Sequence, residues 1–338
     1  MKLAFWISFT MFFLALSHTS SVSATIMDVI PHNIPHLGGV FVYWSHVSHP
    51  NTTDKIGYYC PADRADDDPL DMVSPPTTST NGVLFIGPLL NIRQECQFRY
   101  LRHNGSSYYS DGNSSVLSFH QTPLHIRLSV TQRADEMVVM WISDTTTPTP
   151  YVIYKVGNKT FKIEANSTTY AASDMCEYPA TSTLSKWFLS PGWIHRAVMT
   201  HLPPDTRVTY QVGNDNIRSS VLFFRTPHPT KLQAFILADL GEWVTPLQGY
   251  AVARSQETIR NVFTDFYNQT QDYRLLVHSG DISYARGKAY QWEQFAALVE
   301  PISTVMPYMV SIGNHEYDHE TDPHHKDPSG AGSGWHPS

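Results

Sequence analysis

Three short polar strings near the carboxyl end of the sequence contain the residue types that bind metal ions. They are Asp239-Leu240-Gly241, Gly-Asp-Ile-Ser-Tyr at 280–284 and Gly-Asn-His-Glu at 313–316. Two carboxylates, a phenol, an amide and an imidazole provide hard oxygen donors together with one nitrogen. Because a carboxylate can bridge two cations about 3.5 Å apart, the set predicts a pair of metal ions and phosphate chemistry.

Each string follows an apolar run that predicts a short buried strand, at 234–238, 275–278 and 308–312. Helix-type apolar spacing at 251–269 and 289–299 separates the runs, which indicates a β-α-β-α-β order. Any one string alone is better explained as a turn or a helix cap. All three in succession favour a site, because α/β sheets bind ligands at the carboxyl ends of their strands.

The three strings together resemble the metallophosphoesterase fold, and the tyrosine of the second string is similar to the purple acid phosphatase motif in particular. The resemblance implies that Asp239 and Tyr284 bind a ferric ion and that Asp281 bridges the two ions. Asn314 would then bind a divalent zinc, manganese or iron. The implied reaction is two-metal hydrolysis of a small phosphoester, with His315 as the acid that protonates the leaving alcohol. The protein would be a secreted acid phosphatase.

The sequence departs from that family in two places. Ala238 stands where the first motif usually has glycine, and the family's remaining ligands are three histidines from two later motifs that do not occur before Ser338. Glu316 is expected to orient the site rather than bind metal. We expect a carboxyl-terminally truncated fragment with little activity of its own. Four histidines in the final polar stretch are expected to lie in a solvated loop: His319, His324, His325 and His336.

Two other functions remain open. The same metals would support a nucleotide pyrophosphatase or phosphodiesterase, whose substrate pocket would be shaped by other loops. A catalytically silent secreted glycoprotein, in which the amino-terminal domains mediate binding, is the alternative outside the enzymes. Further sequence with a Val-x-x-His-like and a Gly-His-x-His-like strand end would favour an enzyme.

The amino terminus has the pattern of a secretory signal peptide. Lys2 precedes an apolar run at 3–16, and Val22-Ser23-Ala24 forms a cleavage site, so residues 1–24 are predicted to be removed. The run is shorter than the roughly 18 residues that span a bilayer, which argues against a membrane anchor. We expect a secreted or a vacuolar or lysosomal protein.

Glycosylation sequons and cysteines agree with export. Of the three cysteines, Cys60 and Cys96 are predicted to pair, which leaves Cys176 without a partner in an oxidising compartment. Six Asn-x-Ser/Thr sequons predict glycosylation at several of these positions: Asn51, Asn104, Asn113, Asn158, Asn166 and Asn268.

Between the signal peptide and the three strings the sequence alternates in short β patterns, which predicts a β-sandwich at 25–121 and a second at 122–228. The second resembles the fibronectin-III-like domain that precedes the catalytic domain in plant-type purple acid phosphatases. The strings Asp174-Met175-Cys176, Pro-Gly-Trp-Ile-His at 191–195 and Met-Thr-His-Leu at 199–202 carry that resemblance. The predicted class is all-β followed by α/β, with an incomplete catalytic domain at 229–338.

Composition excludes one class of partner. Apolar residues make up 41% of the chain and charged residues 16%, which is ordinary globular usage. The formal net charge of −7 and the lack of a basic stripe argue against a nucleic-acid duplex as the partner. Small phosphoesters are the expected substrates, and the sequence does not indicate an oligomeric state.

Overall fold

The computed structural model describes residues 24–175, 178, 180–183, 187–241, 255–268, 272–285 and 288–317. The predicted class, all-β followed by α/β, is confirmed. The predicted signal peptide, Cys176 and the four histidines of the final stretch lie outside the described residues, apart from Ala24. None of the helices that the structure describes is long and apolar enough to cross a membrane.

The first unit contains two antiparallel sheets around an aromatic core. One sheet has the order β1-β3-β6 and the other β5-β4-β7-β8, with a short parallel pair β2-β9 beside them. Trp44, Tyr58 and Phe98 fill the space between the sheets. The predicted disulfide between Cys60 and Cys96 is confirmed. The strands are β1 (Ile26–Ile30), β2 (Asn33–Ile34), β3 (Gly38–Ser45), β4 (Lys55–Tyr59), β5 (Asp71–Val73), β6 (Gly82–Leu89), β7 (Gln97–His103), β8 (Tyr108–Asn113) and β9 (Ser118–Phe119).

The second unit is a sandwich of two four-stranded sheets, β10-β11-β15-β14 and β13-β12-β16-β17. Trp141, Tyr154 and Tyr210 lie in its core, since alternate side chains of both sheets point inward. Its strands are β10 (Leu124–Val130), β11 (Met137–Ser143), β12 (Tyr151–Val156), β13 (Lys159–Glu164), β14 (Asn166–Thr168), β15 (Trp193–Met199), β16 (Arg207–Gly213) and β17 (Leu222–Arg225).

The third unit has the predicted β-α-β-α-β order and a parallel sheet, β18-β19-β20. The helices cover one face of the sheet through Ile259, Val262, Phe295 and Leu298. The second helix ends at Ser303 rather than at the predicted 299. It continues past Pro301, which lacks an N–H, because the Thr304 amide still donates to the Glu300 carbonyl. The elements are β18 (Gln233–Leu237), α1 (Ser255–Tyr267), β19 (Tyr273–Ser279), α2 (Ala289–Ser303), β20 (Tyr308–Ser311) and α3 (Asn314–Tyr317).

A buried carboxylate on α2 joins all three units. Arg93 of the first unit donates to Glu293 through both terminal nitrogens, with Nη1 to Oε2 at 3.0 Å. His125 of the second unit places Nε2 2.7 Å from the same Oε2. Further along α2, Glu300 accepts a hydrogen bond from the Ile126 amide at 3.1 Å. The helix that precedes β20 is therefore fixed against both β units.

The charge on Glu293 depends on its partners. Burial alone would raise the pKa of this carboxyl, but Arg93 and His125 outweigh burial and hold the pKa well below its ordinary 4.5. A carboxyl whose pKa is lowered on folding stabilises the protein above its unfolded pKa. That contribution falls as the pH drops below the unfolded value. The junction is thus suited to mildly acidic conditions.

Replacing Glu293 by glutamine should lower the free energy of unfolding at pH 7 by about 3–5 kcal/mol, because Arg93 would stay buried without its ion-pair partner. Urea unfolding of both proteins measures the difference. Glu257→Gln, at an exposed position of α1, is the matched control and should change stability by less than about 0.5 kcal/mol.

The same pair of proteins gives a pH test. The stability difference between wild type and Glu293→Gln should be constant from about pH 7 to pH 5 and should shrink below about pH 4.5. A difference that grows on acidification, or one shared by the Glu257 control, would contradict the assignment of Glu293 as an ionised junction residue.

Candidate metal centre

The ends of the three parallel strands bring all four predicted metal ligands together. Tyr284 donates its phenol hydrogen to Asp239 Oδ1 at 2.8 Å, and its oxygen lies 3.3 Å from Asp281 Oδ2. With its carboxamide nitrogen directed at Asp281, Asn314 donates to both carboxylate oxygens at 3.2 Å. The four side chains form one cluster at the carboxyl edge of the sheet, which we call the rim. Their role as ligands remains a prediction.

The backbone at the rim is strained. Asp239, Asp281 and Tyr284 have φ values of 54°, 52° and 52°, in the left-handed region that side-chain-bearing residues rarely adopt. Such residues cost about 1–3 kcal/mol each and persist where the surroundings enforce them, often at functional sites. Ala238 is not among the left-handed residues, so the glycine usual in the family is not needed there.

Glu316 holds two of the strand ends in place. Its carboxylate accepts hydrogen bonds from the backbone amides of Asp281 at 2.8 Å, Ile282 at 2.7 Å and Gly313 at 2.9 Å. The first two amides follow β19 and the third follows β20, so one side chain fixes both loops. This geometry agrees with the orienting role expected for Glu316.

Close approach between the two loops explains the glycines of the second and third strings. A Cβ on Gly313 would lie 2.1 Å from Asp281 Oδ1, and a Cβ on Gly280 would lie 2.7 Å from the Cα of Gly313. The amide of His315 donates to the same Asp281 oxygen at 3.1 Å. Only glycine at 280 and 313 lets the Asp281 carboxylate reach this position.

The donor set fits a hard cation. The pKa of the Tyr284 phenol is raised by burial, by its hydrogen bond to Asp239 and by the charge of both carboxylates, so the phenol is neutral without a metal. Metal binding would displace that proton, as it does for other protein ligands. Asp239 and Asn314 are exposed, which leaves the rim accessible. Among the residues that the structure describes, no three His, Cys, Asp or Glu side chains cluster closely enough to hold a metal.

Two histidines lie at or below the rim. The His315 ring packs beside the Tyr284 ring at a centroid distance of 4.4 Å, which places the predicted acid next to the predicted ligands. His278 belongs to a predicted strand and has no predicted role. It is buried beneath the rim, with Nδ1 2.6 Å from the Tyr308 hydroxyl, and burial lowers its pKa. The sequence offered one signal for His278, a polar residue inside an otherwise apolar strand.

Comparison with known proteins agrees with the fold. Residues 233–337 match the calcineurin-like phosphoesterase family, and residues 123–226 match the purple acid phosphatase N-terminal domain. The α/β unit is therefore a phosphoesterase domain preceded by that characteristic β domain. The chain belongs to the purple acid phosphatase family.

Individual relatives give the extent of the match. "Probable inactive purple acid phosphatase 9" of Arabidopsis thaliana is 31% identical over 93% of this chain and 52% of its own length. A "Nucleotide pyrophosphatase/phosphodiesterase" of Hordeum vulgare is 53% identical over a short stretch, which is 14% of this chain and 13% of the length of that protein. The match to the solved structure of a purple acid phosphatase from yellow lupin (Lupinus luteus) seeds covers 87% of this chain and 57% of the lupin chain. Its TM-score is 0.76 at 23% identity, which shows the shared fold. The chain spans about half the length of the first of these relatives.

Glu316→Gln should loosen the rim without unfolding the protein. An amide cannot accept three backbone hydrogen bonds as the carboxylate does, and its NH₂ group would face donors. We expect hydrogen exchange at the amides of Asp281, Ile282 and Gly313 to become at least about tenfold faster, since each loses a charge-assisted bond.

His315→Ala is the control for that experiment, because its own backbone amide is retained and its ring does not bond the three amides. Exchange at the three positions should then stay near the wild-type rate. Unchanged protection in Glu316→Gln would show that the carboxylate does not hold the loops.

Proposed function

We propose that the protein is a secreted acid phosphatase that hydrolyses phosphomonoesters with a ferric ion and a divalent zinc, manganese or iron ion. The observation that supports this is the meeting of two carboxylates, a phenol and an amide at three strand ends, each group 2.8–3.3 Å from at least one of the others. Asp239 and Tyr284 would hold the ferric ion, and Asn314 the divalent ion. Asp281, which contacts both Tyr284 and Asn314, would be shared between the two ions.

The chain's own residues define what the site would do. When bound, the metal ions supply Lewis-acid polarisation of the phosphate and lower the pKa of water. The amide of His315 and the amides bonded to Glu316 keep Asp281 and its loop in register. The His315 imidazole, beside Tyr284, is placed to give a proton to the leaving alcohol. Its donor role is part of the proposal.

We further propose a secreted, vacuolar or lysosomal location. The Cys60–Cys96 disulfide favours an oxidising compartment. All six sequon asparagines are exposed, as glycosylation requires: Asn51, Asn104, Asn113, Asn158, Asn166 and Asn268.

Two alternatives have some support. The short, highly identical stretch shared with the Hordeum vulgare protein favours a pyrophosphatase or phosphodiesterase. The names of several Arabidopsis thaliana relatives, "probable inactive" purple acid phosphatases, favour a catalytically silent glycoprotein. The same assay separates all three functions.

The protein, expressed from its own gene through the secretory pathway with iron and zinc supplied, should hydrolyse p-nitrophenyl phosphate near pH 5. We expect at least about tenfold slower hydrolysis of bis-p-nitrophenyl phosphate, and at least about a hundredfold loss with Asp281→Ala, which removes the shared carboxylate.

Faster hydrolysis of the diester would favour the phosphodiesterase. Hydrolysis of both substrates no faster than in Asp281→Ala would favour the silent glycoprotein.

The role of His315 can be tested by comparing two substrates whose leaving groups differ in their need for a proton. If it donates a proton, His315→Ala should reduce turnover of an alkyl phosphate by about 10²–10⁴ and that of p-nitrophenyl phosphate much less, because nitrophenolate leaves without protonation. Metal content should stay near wild type. Equal losses for both substrates together with depleted divalent metal would indicate instead that His315 only supports the loop that carries Asn314.

A further inference from the structure

A cavity lies where the three units meet, away from the rim. It has a volume of about 330 Å³, at the lower end of the range for small-molecule sites, which occur preferentially between domains. Its lining comes from the loop before β3, the start of the second unit, the turn before β17 and the second half of α2. We call it the junction cavity; its apolar lining residues are Leu37, Pro123, Ile126, Leu222, Ala297 and Pro301.

One carboxyl group lines this apolar space. Glu300 is the single ionisable side chain among the described residues that line the junction cavity, and it is partly buried. Its Oε1 accepts the amide of Ile126 at 3.1 Å. In the part of the chain that the structure describes, Arg93 and His125 pair with Glu293, and no cation forms an ion pair with Glu300. The second oxygen of Glu300 therefore has no charged partner.

The two carboxylates of α2 differ in how well they are compensated. Glu293 lies two turns earlier on the same helix, and its pKa is lowered because it has two cationic partners. Burial raises the pKa of the Glu300 carboxyl, and the positive charge of the nearby His125 offsets only part of that effect. A cation that entered the junction cavity would supply the counter-charge that Glu300 lacks, through a charge-assisted hydrogen bond.

The lining favours a ligand that donates hydrogen bonds. Three of its four hydroxyl groups already donate to backbone carbonyls. Thr304 Oγ1 donates to the carbonyl of Glu300 at 2.9 Å, and Ser219 Oγ to that of Ser220 at 2.9 Å. Thr122 Oγ1 donates to the following carbonyl at 3.4 Å. With these protons engaged, the cavity offers mainly acceptors, which suit an ammonium group with its three donors and do not suit an anion.

We propose that the junction cavity binds a small primary amine with an apolar body. Its ammonium group pairs with the Glu300 carboxylate, and its apolar body lies against Ile126, Leu222 and Pro301. A volume at this end of the range suits a molecule with one ring or a short alkyl chain. Because all three units line the cavity, such a ligand contacts each of them and stabilises their docking by mass action. The proposal does not depend on the metal ions.

Phenethylamine and phenethyl alcohol are a matched pair of probes, because they share one apolar body and differ in the ammonium and hydroxyl groups. Ligand-detected NMR titration of the secreted protein at pH 7 measures both affinities. We expect saturable binding of the amine with a Kd of about 1 mM or tighter. The alcohol should bind at least about tenfold more weakly, since it cannot form the charge-assisted bond.

Glu300→Gln tests the carboxylate. Its side-chain oxygen can still accept the Ile126 amide, so the local fold should be kept. Affinity for the amine should fall at least about tenfold, and affinity for the alcohol should change little. Glu257→Gln, at an exposed position of α1, removes the same charge elsewhere and should bind both probes as wild type does.

Ser220→Trp tests the location. Ser220 lines the cavity at an exposed position, so a large ring there should fill the opening without entering the core and abolish binding of both probes. Ser220→Ala is its control and should bind as wild type does, and equal melting temperatures would show that the variants are folded. The proposal would be overturned by a lack of saturable amine binding, by equal affinities for amine and alcohol, or by amine binding that survives in Glu300→Gln or Ser220→Trp.

Discussion

The architecture depends on one buried ion pair network, in which the Glu293 carboxylate is bonded by Arg93 and His125. Because a charge without partners is costly in a protein interior, the three units cannot separate without exposing or stranding these groups. The same helix contributes Tyr290 and Ala297 to the apolar core of the first unit. The helix leads directly into β20, so the position of the strand end that carries Asn314 follows from the docking of both β units.

At the rim, the strained backbone lies next to the hydrogen bonds that offset part of its cost. Three candidate ligands adopt left-handed conformations, and the Glu316 carboxylate offsets part of that cost by accepting three backbone hydrogen bonds. Gly280 and Gly313 allow the loops to approach so closely that Asp281 is set by its surroundings. The protein thus orders the donor atoms through its own hydrogen bonds, which reduces the rearrangement that metal binding would require.

Much of the fold could be predicted from the sequence where the pattern was strong. The parallel strands, the helices α1 and α2 of the α/β unit and the disulfide were all predicted, since apolar runs of regular spacing and a small number of cysteines leave few alternatives. Strand β8 was not identified, because its Tyr-Tyr-Ser-Asp-Gly-Asn sequence has turn-type residues, and β13 was not identified because charged residues alternate along an edge. In both strands, pairing with a neighbour decides the conformation.

The sequence by itself determined the candidate site: Asp239, Asp281, Tyr284 and Asn314 each follow a strand, and the carboxyl ends of parallel strands must meet at one edge. Only the tertiary structure decided what supports that edge. Arg93 and Glu293 are 200 residues apart, and each is an ordinary charged residue in its own segment. No local pattern marks them as partners, because a buried ion pair is selected by the packing of distant elements.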